Sequence, residues 1–214
     1  MGLLKKLNIV VGDDNSASNI FEALFPNFMD ASYSCPSEYV ANYWETYESY
    51  CKEKKVNANQ NGKIFEYILA TLLIREQIMP FYLNAKVAFV PNVNYDIILY
   101  TAERGPVCIS AKTSLRERYK QADLEGIALK YVHRRALCYL VTNNEAEAIS
   151  VNNKIKKGDV IGLDAVIYSH SAEFDALIAT LKQYNFEQPK PIEIIRATQI
   201  VSAEVVAQSQ NKPQ

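Results

Sequence analysis

The chain predicts an α/β fold, a central mixed β-sheet with helices on both faces, from three observations. Short apolar runs of strand length recur between longer stretches with helical spacing. Turn residues punctuate them, as in the Ala-Glu-Arg-Gly-Pro stretch at 102–106. A length of 214 residues with 49% hydrophobic content suffices to bury one sizeable core, so a single domain over 1–214 is expected.

Each element has its own local signal. Residues 1–55 form an aromatic-rich, helical N-terminal elaboration. Within it, 37–52 follow Pro36 with helical spacing and place Tyr39, Tyr43, Trp44 and Tyr47 near one face. Such a stripe most simply packs into a core, the alternative being a stacking platform for bases. The polar stretch 53–62 reads as a loop. Residues 63–79 form an amphipathic helix with Ile64, Phe65, Ile68 and Leu72 on its apolar side, ended by Pro80. Strands follow at 85–90, 95–100 and 107–111, the last two joined as a hairpin. A long helix at 114–134 and a strand at 137–142 complete an α, β, β, β, α, β core over 63–142. Over 143–207 the sheet is extended by helices at 145–154 and 172–184 and strands at 162–168 and 192–195. The polar tail 208–214 is expected to be disordered.

A formal charge of −1 excludes a general-purpose basic nucleic-acid coat, so any affinity for DNA must be local. It has a place: residues 112–135 hold seven basic side chains against three acidic ones, which leaves the rest of the chain net acidic. The four cysteines form no CxxC pair, and Cys108 and Cys138 lie in strand-like runs, the pattern of reduced core thiols in a cytoplasmic protein. No apolar run approaches membrane-spanning length, the run at 7–11 is too short for a signal-peptide core, and Lys6 stands where a myristoylation motif needs Ser or Thr. No membrane partner is expected.

The chemistry concentrates between Asp96 and Glu125. Asp96 interrupts an apolar strand, which is costly unless the carboxylate is paired or metal-bound. Lys112 ends the neighbouring strand, and Glu125 lies about three turns into the next helix. Two carboxylates and a lysine on those elements can converge, giving hard oxygen ligands for a divalent cation and an ammonium for the attacking water or phosphate. The same residues also fit an ordinary cross-strand ion pair with Glu125 solvated. Arg116-Glu117-Arg118 follows at the helix start, where arginine forks match guanine O6 and N7 and a carboxylate accepts from cytosine N4. Ser114 and Glu117 equally form a capping-box pattern, in which Glu117 would bond backbone amides. Other candidates read more plainly: His133 and His170 lack metal-ligand spacing and suit surface or capping positions, Lys154, Lys156 and Lys157 suit a solvated helix end, and Glu66 suits the polar side of its helix.

These residues resemble the signature of the PD-(D/E)XK nuclease superfamily, with Asp96 as the first acid and Ser110-Ala111-Lys112 as the acid-x-lysine. Two positions depart from it: Tyr95 replaces the usual proline, and Ser110 replaces the second carboxylate. The pattern is similar to the type II restriction endonucleases that recognise CCGG or CC-x-GG sites, the EcoRII and PspGI-like branch. There the motif reads Ser/Thr-x-Lys and the carboxylate comes from the following helix, about thirteen positions after the lysine, which is Glu125 here. The branch also carries a basic-acidic-basic triplet, matched by Arg116-Glu117-Arg118, and a glutamate from the helix before the sheet, matched by Glu66.

The resemblance covers roughly 63–142 and implies a restriction-endonuclease-like core. It implies Mg²⁺ held by Asp96, Glu125 and the Ala111 carbonyl, Lys112 orienting or deprotonating the attacking water, and Glu66 behind them. It further implies a homodimer on double-stranded DNA that cuts a palindrome of CC and GG blocks and leaves a 5′-phosphate. The aromatic N-terminal segment and the helix after Arg116 are the two candidate dimer surfaces. Two other functions remain open: a structure-specific repair or recombination nuclease, whose arginines touch phosphate, and an inactive DNA-binding module, given Ser110.

Overall fold

Strand alternation decides which helices cover which side of the sheet. The computed structural model describes residues 2–11, 16–55, 58–90 and 92–189. In it, β2 (Tyr95–Thr101) pairs antiparallel with β3 (Gly105–Lys112), in the register Ile97↔Ile109 to Thr101↔Gly105. Ile97, Leu99, Val107 and Ile109 point to one face, and Ile98 and Cys108 to the other. Beside β2, β1 (Phe81–Ala85) runs antiparallel. Beyond β3, β4 (Leu137–Thr142) and β5 (Ala165–Tyr168) run parallel, so the sheet is mixed with order β1-β2-β3-β4-β5.

The first face is covered by α4 (Asn61–Arg75) and α7 (Ala172–Leu181), on which α2 (Ser16–Leu24) and α3 (Pro36–Lys54) pack, with the short α1 (Leu3–Lys6) against α2. The second face is covered by α5 (Arg118–Val132) and α6 (Glu145–Lys157). The order α4, β1, β2, β3, α5, β4 is the α, β, β, β, α, β core expected from the sequence. The stripe on α3 packs into the core: Tyr39 and Tyr47 are 1% exposed, Tyr39 stacks on Tyr43 at 4.1 Å, and Trp44 meets Phe65 edge-on.

Several boundaries differ from the expectation. α4 ends at Arg75, four residues before Met79, because Gln77 turns left-handed with φ 59° before Pro80 is reached. The first strand lies at Phe81–Ala85 instead of 85–90. Pairing with β2 uses the residues just after Pro80 and leaves 86–90 as a loop, with Phe89 at φ 64° and Val90 buried on the α5 side. The last described strand is shortened to Ala165–Tyr168, since Gly162 passes directly under α5. α7 ends at Leu181. The strand expected at 192–195 and the tail at 208–214 lie outside the described residues.

Cys108 and Cys138 are register partners in β3 and β4, both free and both buried. Burial pushes both thiols up, Cys138 to about 12, as befits inert core groups. Among the described residues no helix is long and apolar enough to cross a membrane.

Candidate active site

The β2–β3 hairpin brings Asp96 and Lys112 together. Asp96 lies one step beyond the Ile97↔Ile109 pair, and its Oδ2 accepts from Lys112 Nζ at 2.8 Å and from the Ala111 amide at 2.8 Å. Two charge-assisted bonds to one oxygen fix this carboxylate against the end of β3. Its side chain is only 14% exposed, so pairing relieves the cost of burying the charge. Ser110 is buried at 8% exposure and brings no carboxylate to the place.

Two further carboxylates, one from each helical layer, lie within electrostatic reach of this pair. Glu125 comes from α5, where the Tyr95 hydroxyl donates to its main-chain carbonyl at 3.0 Å and Gln121 Nε2 donates to its Oε1 at 2.8 Å. Burial raises the Glu125 pKa; the Gln121 bond and the Lys112 charge oppose this, and the Asp96 charge adds to it. Glu66 comes from α4 and pairs with Lys63 Nζ at 2.6 Å, which also reaches Asn84 Oδ1 at 3.3 Å. Burial raises the Glu66 pKa too, Lys63 and Lys112 opposing and Asp96 adding. Glu66, Asp96, Lys112 and Glu125 therefore share one electrostatic neighbourhood.

The donor set suits a hard divalent cation. Three carboxylates against Lys63 and Lys112 leave the place net negative, and two of those carboxylates are desolvated enough to gain from a cation. Among the described residues no three His, Cys, Asp or Glu side chains close into a ligand set. An ion here would thus take one or two carboxylates and fill its shell from main-chain oxygen and water, which is how Mg²⁺ is commonly held.

The Arg-Glu-Arg triplet stands next to this centre, and its local structure corrects the capping-box reading. α5 begins at Arg118, and Glu117 occupies its N-cap without a side-chain cap bond. The Leu115 and Arg116 amides are taken instead by the Glu147 carboxylate of α6, at 2.6 and 2.9 Å. Glu117 is exposed and paired with Lys120. Arg116 and Arg118 are exposed, and among the described residues neither guanidinium joins an ion pair.

Sequence reasoning missed Tyr95 and Glu147 as site residues. Tyr95 had a signal, since it stands where the motif has proline. Glu147 follows Asn144 at capping-box spacing, but only Asn144 caps, accepting from the Glu147 amide at 3.0 Å. Both histidines are half-buried, and His133 takes the capping position expected of it, at the C-terminus of α5. His133 ends α5 with its Nε2 buried and without a partner among the described residues, beside an apolar cavity of about 270 Å³ lined by Tyr82, Ile98 and Tyr100. His170 lies near the Tyr168 hydroxyl at 3.3 Å, and burial lowers its pKa. Lys156 and Lys157 are exposed in the last turn of α6, as expected of a solvated helix end, but Lys154 is not: its Nζ bonds the Tyr119 hydroxyl at 2.6 Å and lies 4.3 Å above that ring.

No protein-family model and no curated protein sequence matches this chain. Among solved structures, a complex of the restriction endonuclease PspGI with substrate DNA matches with a TM-score of 0.52 and 17% identity, over 80% of this chain and 83% of that one. The type IIP restriction endonuclease Kpn2I matches with a TM-score of 0.50 and 13% identity, over 71% of this chain and 62% of that one. The likeness is one of fold: a mixed five-stranded sheet flanked by helices, in the restriction-endonuclease arrangement.

Proposed function

We propose that the protein is a Mg²⁺-dependent type II restriction endonuclease that cuts double-stranded DNA at a palindromic site of CC and GG blocks. The observation that carries this reading is the Asp96–Lys112 pair at the end of β3, within electrostatic reach of Glu125 and Glu66 and a few residues before an exposed Arg-Glu-Arg triplet. The fold supports it, because the PspGI structure that matches this chain holds substrate DNA.

In this reading Asp96, Glu125 and the Ala111 carbonyl hold the ion. Bound there, Mg²⁺ supplies Lewis-acid stabilisation of charge on the phosphate oxygens. Lys112, tethered by Asp96, presents its ammonium to the attacking water and to the phosphate. The Ala111 amide keeps Asp96 in one rotamer, and the Tyr95 bond to the Glu125 carbonyl fixes α5 against β2. Glu66 stands behind the pair and holds Lys63 near it. In-line attack of water on phosphorus breaks the P–O3′ bond and leaves a 5′-phosphate. Arg116 and Arg118 read guanine edges, and Glu117 accepts from cytosine N4 once it leaves Lys120. One triplet covers half of a palindrome and one centre cuts one strand, so the working species is a two-fold homodimer.

A second reading, a DNA-binding module without activity, draws on Ser110 and on Asp96 Oδ2 already satisfied by two donors. Incubation with supercoiled plasmid in Mg²⁺ and in EDTA separates the two. Discrete linear fragments in Mg²⁺ alone support the endonuclease; a shifted band with no product in either supports the module. Cuts at branched or flapped DNA regardless of sequence would indicate a structure-specific nuclease.

A further inference from the structure

The loop between Lys112 and α5 is gripped from behind by α6. Two consecutive amides, Leu115 and Arg116, converge on one carboxylate, Glu147 Oε2 at 2.6 Å and Oε1 at 2.9 Å. Consecutive N–H groups aimed at a single anion form a nest, and here the anion is an internal side chain from thirty-odd residues away. Arg116 sits at φ 43°, a left-handed conformation that a long side chain adopts only when something holds it there. Leu115 is fully buried, so the loop turns one side chain inward and the next outward.

The grip continues past the triplet. Lys154, two turns further along α6, bonds and caps the ring of Tyr119, the residue after Arg118. α6 is itself anchored at its start by Asn144, which accepts from the Glu147 amide. Arg116, Glu117 and Arg118 are thus suspended between two fixed points on one helix, Glu147 before them and Lys154 after.

We infer that Glu147 is a positioning residue for base recognition: by clamping the Leu115 and Arg116 amides it sets the direction in which Arg116 and the start of α5 meet DNA. This rests on the base-reading role proposed for the triplet. Without the clamp, Arg116 relaxes to an ordinary φ and its guanidinium loses a defined approach to a base edge. Contacts of lysines and arginines with phosphate need no such precision and survive.

Two measurements on the full chain test it, with Glu147→Ala and with Glu147→Gln, which keeps the side-chain volume and one acceptor. The first is amide hydrogen exchange at Leu115 and Arg116 without DNA. The second is the sequence preference of duplexes captured from a randomised pool. Glu147→Ala should speed exchange at those two amides by about tenfold or more and leave β3 amides protected. It should lower the preference for C:G pairs by about tenfold while affinity for the unselected pool changes by less than about twofold. Glu147→Gln should fall between. Unchanged exchange overturns the clamp. Faster exchange with undiminished preference overturns the positioning role, and so does loss of β3 protection in both variants, which would make Glu147 a folding residue. A wild-type protein with no sequence preference overturns the endonuclease reading and the positioning role with it, while the exchange result still shows whether the clamp exists.

Discussion

Burial works against the charge of Glu125 and the Lys112 ammonium works for it; the balance leaves its carboxyl above the ordinary carboxylate range. Because the folded-state pKa lies above the unfolded one, the stability this group contributes is complete below the unfolded pKa and is lost as pH rises through the folded pKa. Glu125→Gln, which keeps a partner for Gln121, should therefore raise the melting temperature of the metal-free protein at neutral pH and lose that advantage in acid. A neutral-pH melting temperature below wild type would show instead that the anion is satisfied where it stands. For the triplet, Arg116→Ala or Arg118→Ala should cost about 1 to 3 kcal/mol of discrimination per lost bidentate contact, whereas Lys120→Ala should weaken binding to all duplexes alike and flatten the salt dependence. Competition with duplexes altered at each C:G pair measures this, and equal losses on cognate and random DNA for Arg118→Ala would contradict base reading. At this scale the sequence showed what side-chain spacing records: a hairpin sets Asp96 across from the end of β3, and the structure pairs it with Lys112. Tyr95 was marked in the sequence only as a departure from the motif's proline, and Glu147 not at all; the role of each was illegible because each acts on another residue's main chain, the Glu125 carbonyl and the 115–116 amides, and no side-chain pattern encodes such a bond.

The placement of α5 depends on a close approach between two glycines. A Cβ on Gly126 would come within 2.5 Å of the Gly162 carbonyl oxygen, and Asp123 Oδ1 accepts from the Ile161 and Gly162 amides to hold that contact. Gly126→Ala should lower stability by about 1 to 3 kcal/mol through overpacking against backbone, although alanine is the better helix former by roughly 1 kcal/mol. Denaturant unfolding measures it, and a stabilised variant would show that the 160–163 loop yields freely. The same contrast explains which elements the sequence revealed. β4 was legible to the residue because an apolar run buried between two parallel neighbours carries its own signal. β1 was displaced because pairing with β2, rather than local apolarity, selects its residues. The start of α5 was placed four residues early because Ser114 and Glu117 fit a cap locally, while Glu147 in a later helix holds the Leu115 and Arg116 amides and the helix begins only at Arg118.

Across the whole molecule, near-zero net charge coexists with the exposed Arg116 and Arg118, so the proposed DNA contact would be local. Of the two dimer surfaces that the sequence offered, the aromatic stripe is spent in the core. The other candidate, α5, exposes Leu124 and Tyr131 at 66% and 86%. Sedimentation with a short duplex carrying the cut site should show two chains per duplex, and a one-to-one complex that still cuts both strands would contradict the two-fold arrangement. The central claim, that Asp96, Lys112 and Glu125 form a phosphodiester-cleaving centre directed by Arg116 to Arg118, has one most direct test: digestion of DNA of known sequence in Mg²⁺, with the ends mapped by sequencing. The account predicts 5′-phosphate ends at a single palindromic sequence of CC and GG blocks, and a cleavage rate lower by orders of magnitude in Asp96→Ala and Lys112→Ala proteins that stay folded. No ends above background from the wild type, or the same ends at the same rate from Lys112→Ala, would contradict it.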